Sequence, residues 1–238
     1  MSNIEFAARF IPSAFVSGDI YNIFRLDEKH LGFYHIDVSG HGVPAALFCV
    51  SIHQRMTHDL HHHGLLKVPV GEPPYYRINP PDRVVAILNE DEMLEQHGRY
   101  FTMFYGILNT ETAVLSFCRA GHNLPLLIHG NGVAQYLDGG GGPIGFGFPR
   151  QPNEGQELNL TPGDCFVIFS DGINEAPSAA DRTSHYGMER VQNLLAKHLS
   201  DPLSQSFDRL VADVKTFSGK DTFDDDVSIV GFRWLGKG

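Results

Sequence analysis

Four places in this chain put aspartate at the end of an apolar run, and that pattern raises the question of metal chemistry. Asp19 follows Gly18 at the head of "DIYNIFRL", and Asp37 closes "LGFYHIDV" and leads into "SGHG". Asp171 follows "CFVIF" within "SDG", and Asp224, Asp225 and Asp226 precede "VSIV". One such acid is usually a turn residue or a helix cap. Four of them suggest carboxylates converging at one edge of a sheet, a cluster that is unfavourable unless cations neutralise it. Oxygen donors suit hard divalent ions such as Mg²⁺ or Mn²⁺.

Other chemistries compete for the same residues. Gly40-His41-Gly42-Val43-Pro44-Ala45 satisfies the G-x-G-x-x-G/A dinucleotide fingerprint between a strand and a helix. That motif also needs a second strand after the helix, ending near an acid. Here the helix runs into histidines and prolines instead. His58 and His62 stand at i, i+4, a zinc-compatible spacing, within a cluster of His53, His58, His61, His62 and His63. No cysteine or carboxylate joins them, and a solvated helix end explains them as well. Cys49, Cys118 and Cys165 are odd in number, widely spaced and set in apolar runs. They read as buried free thiols in a reducing compartment, with no CxxC pair for zinc. No G-x-S-x-G nucleophile turn is present.

The elements that would position the acids follow from periodicity. "IEFAARFIP", "DIYNIFRL" and "LGFYHIDV" read as strands. A helix follows from Pro44, with Ala46, Cys49, Val50, His53 and Met56 at helical spacing and Gly64 as its C-cap. "KVPVGEPPYYRINPP" reads as a loop or short insertion, where Tyr75 and Tyr76 are candidates for docking. "DRVVAILNEDEMLEQ" is helical, with Val84, Ile87, Leu88 and Leu94 on one face and Asp82 favoured by the helix dipole. From residue 100 short strands alternate with turns, including an Asn-Gly hairpin signal in "HGNGV" and a flexible "DGGGGPIGFGFP" loop. Two helices near 187–200 and 202–217 precede a last strand, "DVSIVGFRWL". About ten strands and four helices in this order make an α+β chain of two antiparallel sheets with helices outside.

The 238 residues and the apolar fraction of 42% suit one large domain or two small ones. A net charge of -10, from 28 acids and 18 bases, argues against nucleic acid or anionic lipid as partner. "VPAALFCV", the longest apolar run, falls far short of the roughly 20 residues of a membrane span. "MSNIEFAARF" has no signal-peptide core, so a soluble cytoplasmic protein is expected. Its abrupt strand-like start suggests a domain cut from a longer chain.

"SGDIYN", "HIDVSGHGVPAA", "FTMFYGIL", "AGHNLPLL", "GGPIG", "PGDCFVIFSDGINEA" and "DDDVSIV" together resemble the type-2C (PPM) metal-dependent serine/threonine phosphatases. Their order and spacing are most similar to the bacterial SpoIIE-like branch, whose members regulate sigma factors. The resemblance spans roughly residues 4 to 234. It implies an αββα sandwich with two Mn²⁺ or Mg²⁺ ions in a cleft at one edge. It further implies that Asp37 bridges both ions and positions the nucleophilic water, and that the Val38 backbone carbonyl binds one. Asp19 lies near one ion, directly or through water, and Asp171 and Asp225 complete the set. Asp224 and Asp226 flank Asp225, and Asp226 should point the other way along the strand.

The chain departs from that family at several positions. Asn22 stands where the first motif commonly carries a second acid, which removes a carboxylate there. Ser39 occupies the position of the eukaryotic general-acid histidine, so His41 inherits no proton-transfer role. Arg9 lies too far upstream to match their phosphate-binding arginine, and His122 in "AGHN" reads as a turn-fixing residue.

The resemblance implies a single PPM-type phosphatase domain over residues 1–238, the C-terminal output part of a longer regulator. Its expected substrate is a phosphorylated protein, an anti-sigma-factor antagonist. An upstream sensory or receiver domain would control it. The alternative is a catalytically idle, phosphatase-like adaptor of a response regulator that binds a sigma factor or anti-sigma partner. Degenerate metal acids would favour that alternative, but Asp19, Asp37, Asp171 and Asp225 are all present.

Overall fold

The apolar runs become strands that sort into two five-stranded antiparallel sheets and a two-stranded ribbon. The structure, a computed structural model, describes residues 3–40, 42–57, 64–95, 99–146 and 152–236, with backbone alone for 92–95. In chain order the elements are β1 (Ile4–Ile11), β2 (Asp19–Arg25), β3 (His30–Val38), α1 (Val43–Arg55), β4 (Lys67–Pro69), β5 (Tyr76–Ile78) and α2 (Pro81–Glu95). There follow β6 (Phe101–Asn109), β7 (Val114–Ala120), β8 (Leu126–Ile128), β9 (Ala134–Tyr136), β10 (Gly155–Asn159) and β11 (Cys165–Phe169). The chain then forms α3 (Asp171–Asn174), α4 (Met188–Lys197), α5 (Leu203–Ser218) and β12 (Val227–Trp234).

These elements form two compact units. The first comprises Met1–Ser17, Asn123–Asp138 and Leu160–Gly238, and the second comprises Gly18–His122 and Gly139–Asn159. The first unit's sheet has the order β1-β12-β11-β8-β9. Its central strand β11, "CFVIF", is buried at every position, which is why it reads as an unbroken apolar run. Helix α5 buries Leu203, Phe207, Leu210 and Val214 at i, i+4, i+7 and i+11 and ends on left-handed Gly219. Full burial of a side chain such as Phe207 contributes about 1.5–3 kcal/mol.

The second unit's sheet has the order β10-β7-β6-β3-β2. Edge strand β10, "GQELN", alternates between exposed and half-buried positions, as a solvated edge should. Helices α1 and α2 bury Ala45, Cys49, Ile52, Val84, Val85 and Leu88 in one core with Tyr34 and Ile36 of β3.

The α+β expectation of two antiparallel sheets with helices is met, with differences of detail. Helix α1 turns its buried face through Ala45, Cys49, Ile52 and Met56, and Val50 is exposed rather than inward. Its outer face carries Val43, Leu47 and Val50, so both faces are apolar and the period alone does not set the phase. The helix stops at Arg55 with Met56 as its C-cap, well short of Gly64. The Pro-rich insertion contains the β4-β5 ribbon, whose three-residue strands are too short to show a period. The first part of the Gly-rich loop is docked on the sheet: Gly121 N–H donates to the Gly141 carbonyl (2.8 Å), and Ile144 and Phe101 exchange backbone bonds of 2.9 and 3.1 Å. All three cysteines are buried free thiols, and burial pushes Cys118 and Cys165 up to about 12. Among the described residues no helix is long and apolar enough to cross a membrane. His41, His58, His61, His62, His63 and the Leu94 side chain lie outside the described residues.

Candidate metal centre

Backbone pairing alone assembles the acids of the second unit. Asp19 opens β2, Asp37 is the next-to-last residue of β3, and the antiparallel register sets them directly opposite each other. Directly opposed residues share a face, with Cβ atoms about 4.5–5.5 Å apart. Asp19 is buried and Asp37 half-buried. Like charges so placed destabilise a ladder, and a cation between them removes the penalty. Val38 follows. Its N–H donates to the Gly18 carbonyl (3.2 Å), and a Cβ on Gly18 would stand 3.1 Å from the Val38 carbonyl oxygen. Only glycine leaves that oxygen uncrowded. The turn into α1 then uses Gly40 and Gly42, both in the left-handed region at φ 91° and 78°.

Side-chain hydrogen bonds hold the acids of the first unit. Asp171 opens the one-turn helix α3 instead of ending β11. Ser170 precedes it, and its hydroxyl donates to the Asp226 carbonyl (2.9 Å) and accepts from the Ser228 N–H (2.9 Å). Asn123 donates its amide to the Phe169 carbonyl (3.2 Å) and to Asn174 Oδ1 (2.8 Å), bracketing Asp171 from both sides. A Cβ on Gly172 would fall 2.2 Å from the Asp226 carbonyl, so the "SDG" glycine is required by close approach to the segment that carries Asp225. Asp171 and Asp225 line one recess of about 200 Å³, with Glu175 beside them. Burial, then Asp225 and Glu175, push the Asp171 carboxyl up to about 6. A bound cation reverses those two charge effects, so the donor set suits a hard divalent ion.

The three consecutive acids separate cleanly. Asp224 accepts from Lys220 and Arg182. Asp225 Oδ1 accepts from the Asp226 N–H (2.8 Å). Asp226, 7% exposed, accepts from the Ser13 N–H (2.7 Å), the Ser13 hydroxyl (2.9 Å) and the Ser17 hydroxyl, which ties down the loop before Asp19.

The structure therefore pairs Asp19 with Asp37 in one unit and places Asp171 with Asp225 in the other. Among the described residues no three His, Cys, Asp or Glu side chains group closely enough to hold a metal ion.

The remaining sequence candidates have structural roles. Arg9 makes a bidentate pair with Asp208 at 2.5 and 2.8 Å. Asn22 lies three residues from Asp19, hence on the other face of β2, and hydrogen-bonds Tyr34. His122 is buried: its Nδ1 meets Thr102 Oγ1 at 2.9 Å and its ring lies 4.6 Å from that of His35. Burial holds His35 down to about 3 and His122 well below the usual range, so both stay neutral near pH 7. Sequence reasoning missed Ser170, Asn123 and Asp226 as supports. "SDG", "AGHN" and "DDD" contained them, but their partners lie far away in the chain.

Comparison with known proteins shows the family and the fold. Residues 27–235 match the family described as Stage II sporulation protein E (SpoIIE). The phosphoserine phosphatase RsbU of Bacillus subtilis is 26% identical over 202 residues, covering 82% of the chain and 53% of that protein. The chain spans only 32–53% of the length of the curated relatives it matches. Among solved structures, the SiaA-PP2C domain of Pseudomonas aeruginosa has a TM-score of 0.78 at 20% identity, covering 96% of this chain and 85% of that one. RsbX in complex with magnesium has a TM-score of 0.63 at 17% identity, covering 98% and 96%. At these identities the structures show a shared fold.

Proposed function

The chain belongs to the SpoIIE family, and from that premise we propose that it is a Mg²⁺/Mn²⁺-dependent phosphoserine/phosphothreonine protein phosphatase. The observation that carries this reading is the placement of the four acids as two local pairs, Asp19 with Asp37 and Asp171 with Asp225. Two divalent ions, when bound, supply an activated water and neutralise the phosphoryl oxygens. Asp37 would hold both ions and orient that water. In the second unit Asp19 and the Val38 carbonyl, kept open by Gly18, would serve as donors beside Asp37, and in the first unit Asp171 and Asp225 would do so. The buried, unreactive thiols fit a direct displacement by water, with no protein nucleophile.

Residues 1–238 form one PPM-type domain in this reading, since the chain alternates between its two units through five segments. The substrate is a phosphorylated anti-sigma-factor antagonist, and an upstream sensory or receiver domain controls the activity. Kinship with the phosphoserine phosphatases RsbU and RsbP and the greater length of those proteins support both statements. Free buried cysteines support a cytoplasmic location.

The test is hydrolysis of p-nitrophenyl phosphate and of a phosphoserine protein with Mn²⁺, beside Asp37→Ala. Mn²⁺-dependent turnover that vanishes in the variant is expected. No turnover on either substrate would leave the idle adaptor as the better reading.

A further inference from the structure

The recess that holds Asp171 and Asp225 also has a cation in its wall. Lys220 lines it, next to Ser218 and Thr222, and among the described residues is its only lysine or arginine. The residue directly follows Gly219, the left-handed cap of α5, so the end of that helix delivers it to the recess. Its ammonium donates to both oxygens of Asp224, at 2.6 and 2.8 Å, and its side chain is 35% exposed. An ammonium has three donors. Two face Asp224, leaving one for another oxygen.

We propose that Lys220 is a substrate-phosphate contact, stationed at the recess by Asp224, which binds a phosphoryl oxygen of the phosphoserine dianion. This rests on the phosphatase reading. A phosphate monoester entering a site of carboxylates needs positive charge beyond that which neutralises the acids, and charge-assisted bonds to phosphate are the strong ones. Lysine supplies that charge as a compact point with rotatable donors. The contact acts on the dianion in substrate and product alike. It therefore governs KM and product affinity more than turnover.

Four measurements on the full chain decide the matter: steady-state hydrolysis of p-nitrophenyl phosphate with Mn²⁺, inhibition by inorganic phosphate, calorimetric binding of inorganic phosphate with Mg²⁺, and Mn²⁺ affinity by electron paramagnetic resonance. Lys220→Ala should raise KM and weaken inorganic phosphate binding roughly ten-fold or more, with kcat within about two-fold. Lys220→Arg should recover most of the loss. Arg182→Ala, which removes the other partner of Asp224 outside the recess, should change neither. Unchanged phosphate affinity in Lys220→Ala, or a loss that tracks weakened Mn²⁺ binding instead, overturns the proposal. Absence of wild-type turnover alongside Lys220-dependent phosphate binding would instead count against the phosphatase reading alone.

Discussion

The two acid pairs are positioned by different physics. Asp19 and Asp37 face each other because two strands are in register. Asp171 and Asp225 lie beyond strand ends, on a one-turn helix and an irregular approach to β12. There Ser170, Asn123 and the Gly172 contact supply what the ladder supplies elsewhere. A ladder tolerates change in its surroundings and fails only with its register. A side-chain scaffold can be taken apart one bond at a time.

The largest effect should come from the acids themselves. Asp37→Asn is expected to lower Mn²⁺-dependent turnover by on the order of 10³-fold. Asp225→Asn, at an exposed position, should cost at least about ten-fold less. The reverse order would break the assignment of Asp37 as the bridging acid.

Next comes the scaffold around Asp171. Asn123→Ala should weaken Mn²⁺ binding by about 10–100-fold, the usual range for groups that orient metal ligands. A metal titration unmoved by this change would mean that the loop holds its shape without Asn123.

Ser170→Ala removes the buried hydroxyl's bonds to the Ser228 N–H and the Asp226 carbonyl, at a cost of about 1–3 kcal/mol in urea unfolding. Its counterpart in the second unit is Ser39, whose hydroxyl accepts the Tyr100 N–H near the surface (3.2 Å). Ser39→Ala should stay within about 0.5 kcal/mol. Equal losses would erase the contrast between ladder and scaffold.

A pH slope adds to these losses. His35 stays neutral in the folded chain down to about 3, whereas an unfolded histidine takes up a proton near 6.5. Below 6.5 the unfolded state therefore binds more protons, and stability falls with falling pH down to about 3. The slope is about 1.4 kcal/mol per pH unit for His35. His122 acts in the same direction. Urea unfolding at pH 7.5 and 5.5 should show a shallower slope in His122→Gln than in the wild type.

This contrast also explains what was legible beforehand. Asp19 and Asp37 sit in strands with strong patterns, so their approximate placement follows from the sequence itself. Helix α3 is four residues long and leaves no periodic trace. The bond from Asn123 to Asn174 joins residues distant in the chain, and no local pattern announces it. The phase of α1 does not follow from its period, because Val43, Leu47 and Val50 make its outer face apolar as well. From the sequence Asp226 is expected only to point away from Asp225, and its bonds to Ser13 and Ser17, distant in the chain, give it a separate role.

The pairing of β1 with β12 bears on how the molecule is made. Ile4 lies opposite Trp234, and β12 is an interior strand between β1 and β11. During synthesis the first unit's sheet therefore has a gap beside β11 until Val227–Trp234 leaves the ribosome. The β1 edge waits from its own synthesis until then, and the β11 edge waits over the residues between Phe169 and Val227. Such edges invite pairing with other nascent chains, and closing so long a loop is slow. The acids of "DDDVSIV" arrive with the strand that completes the sheet, so the first unit gains Asp225 and its final fold in the same step.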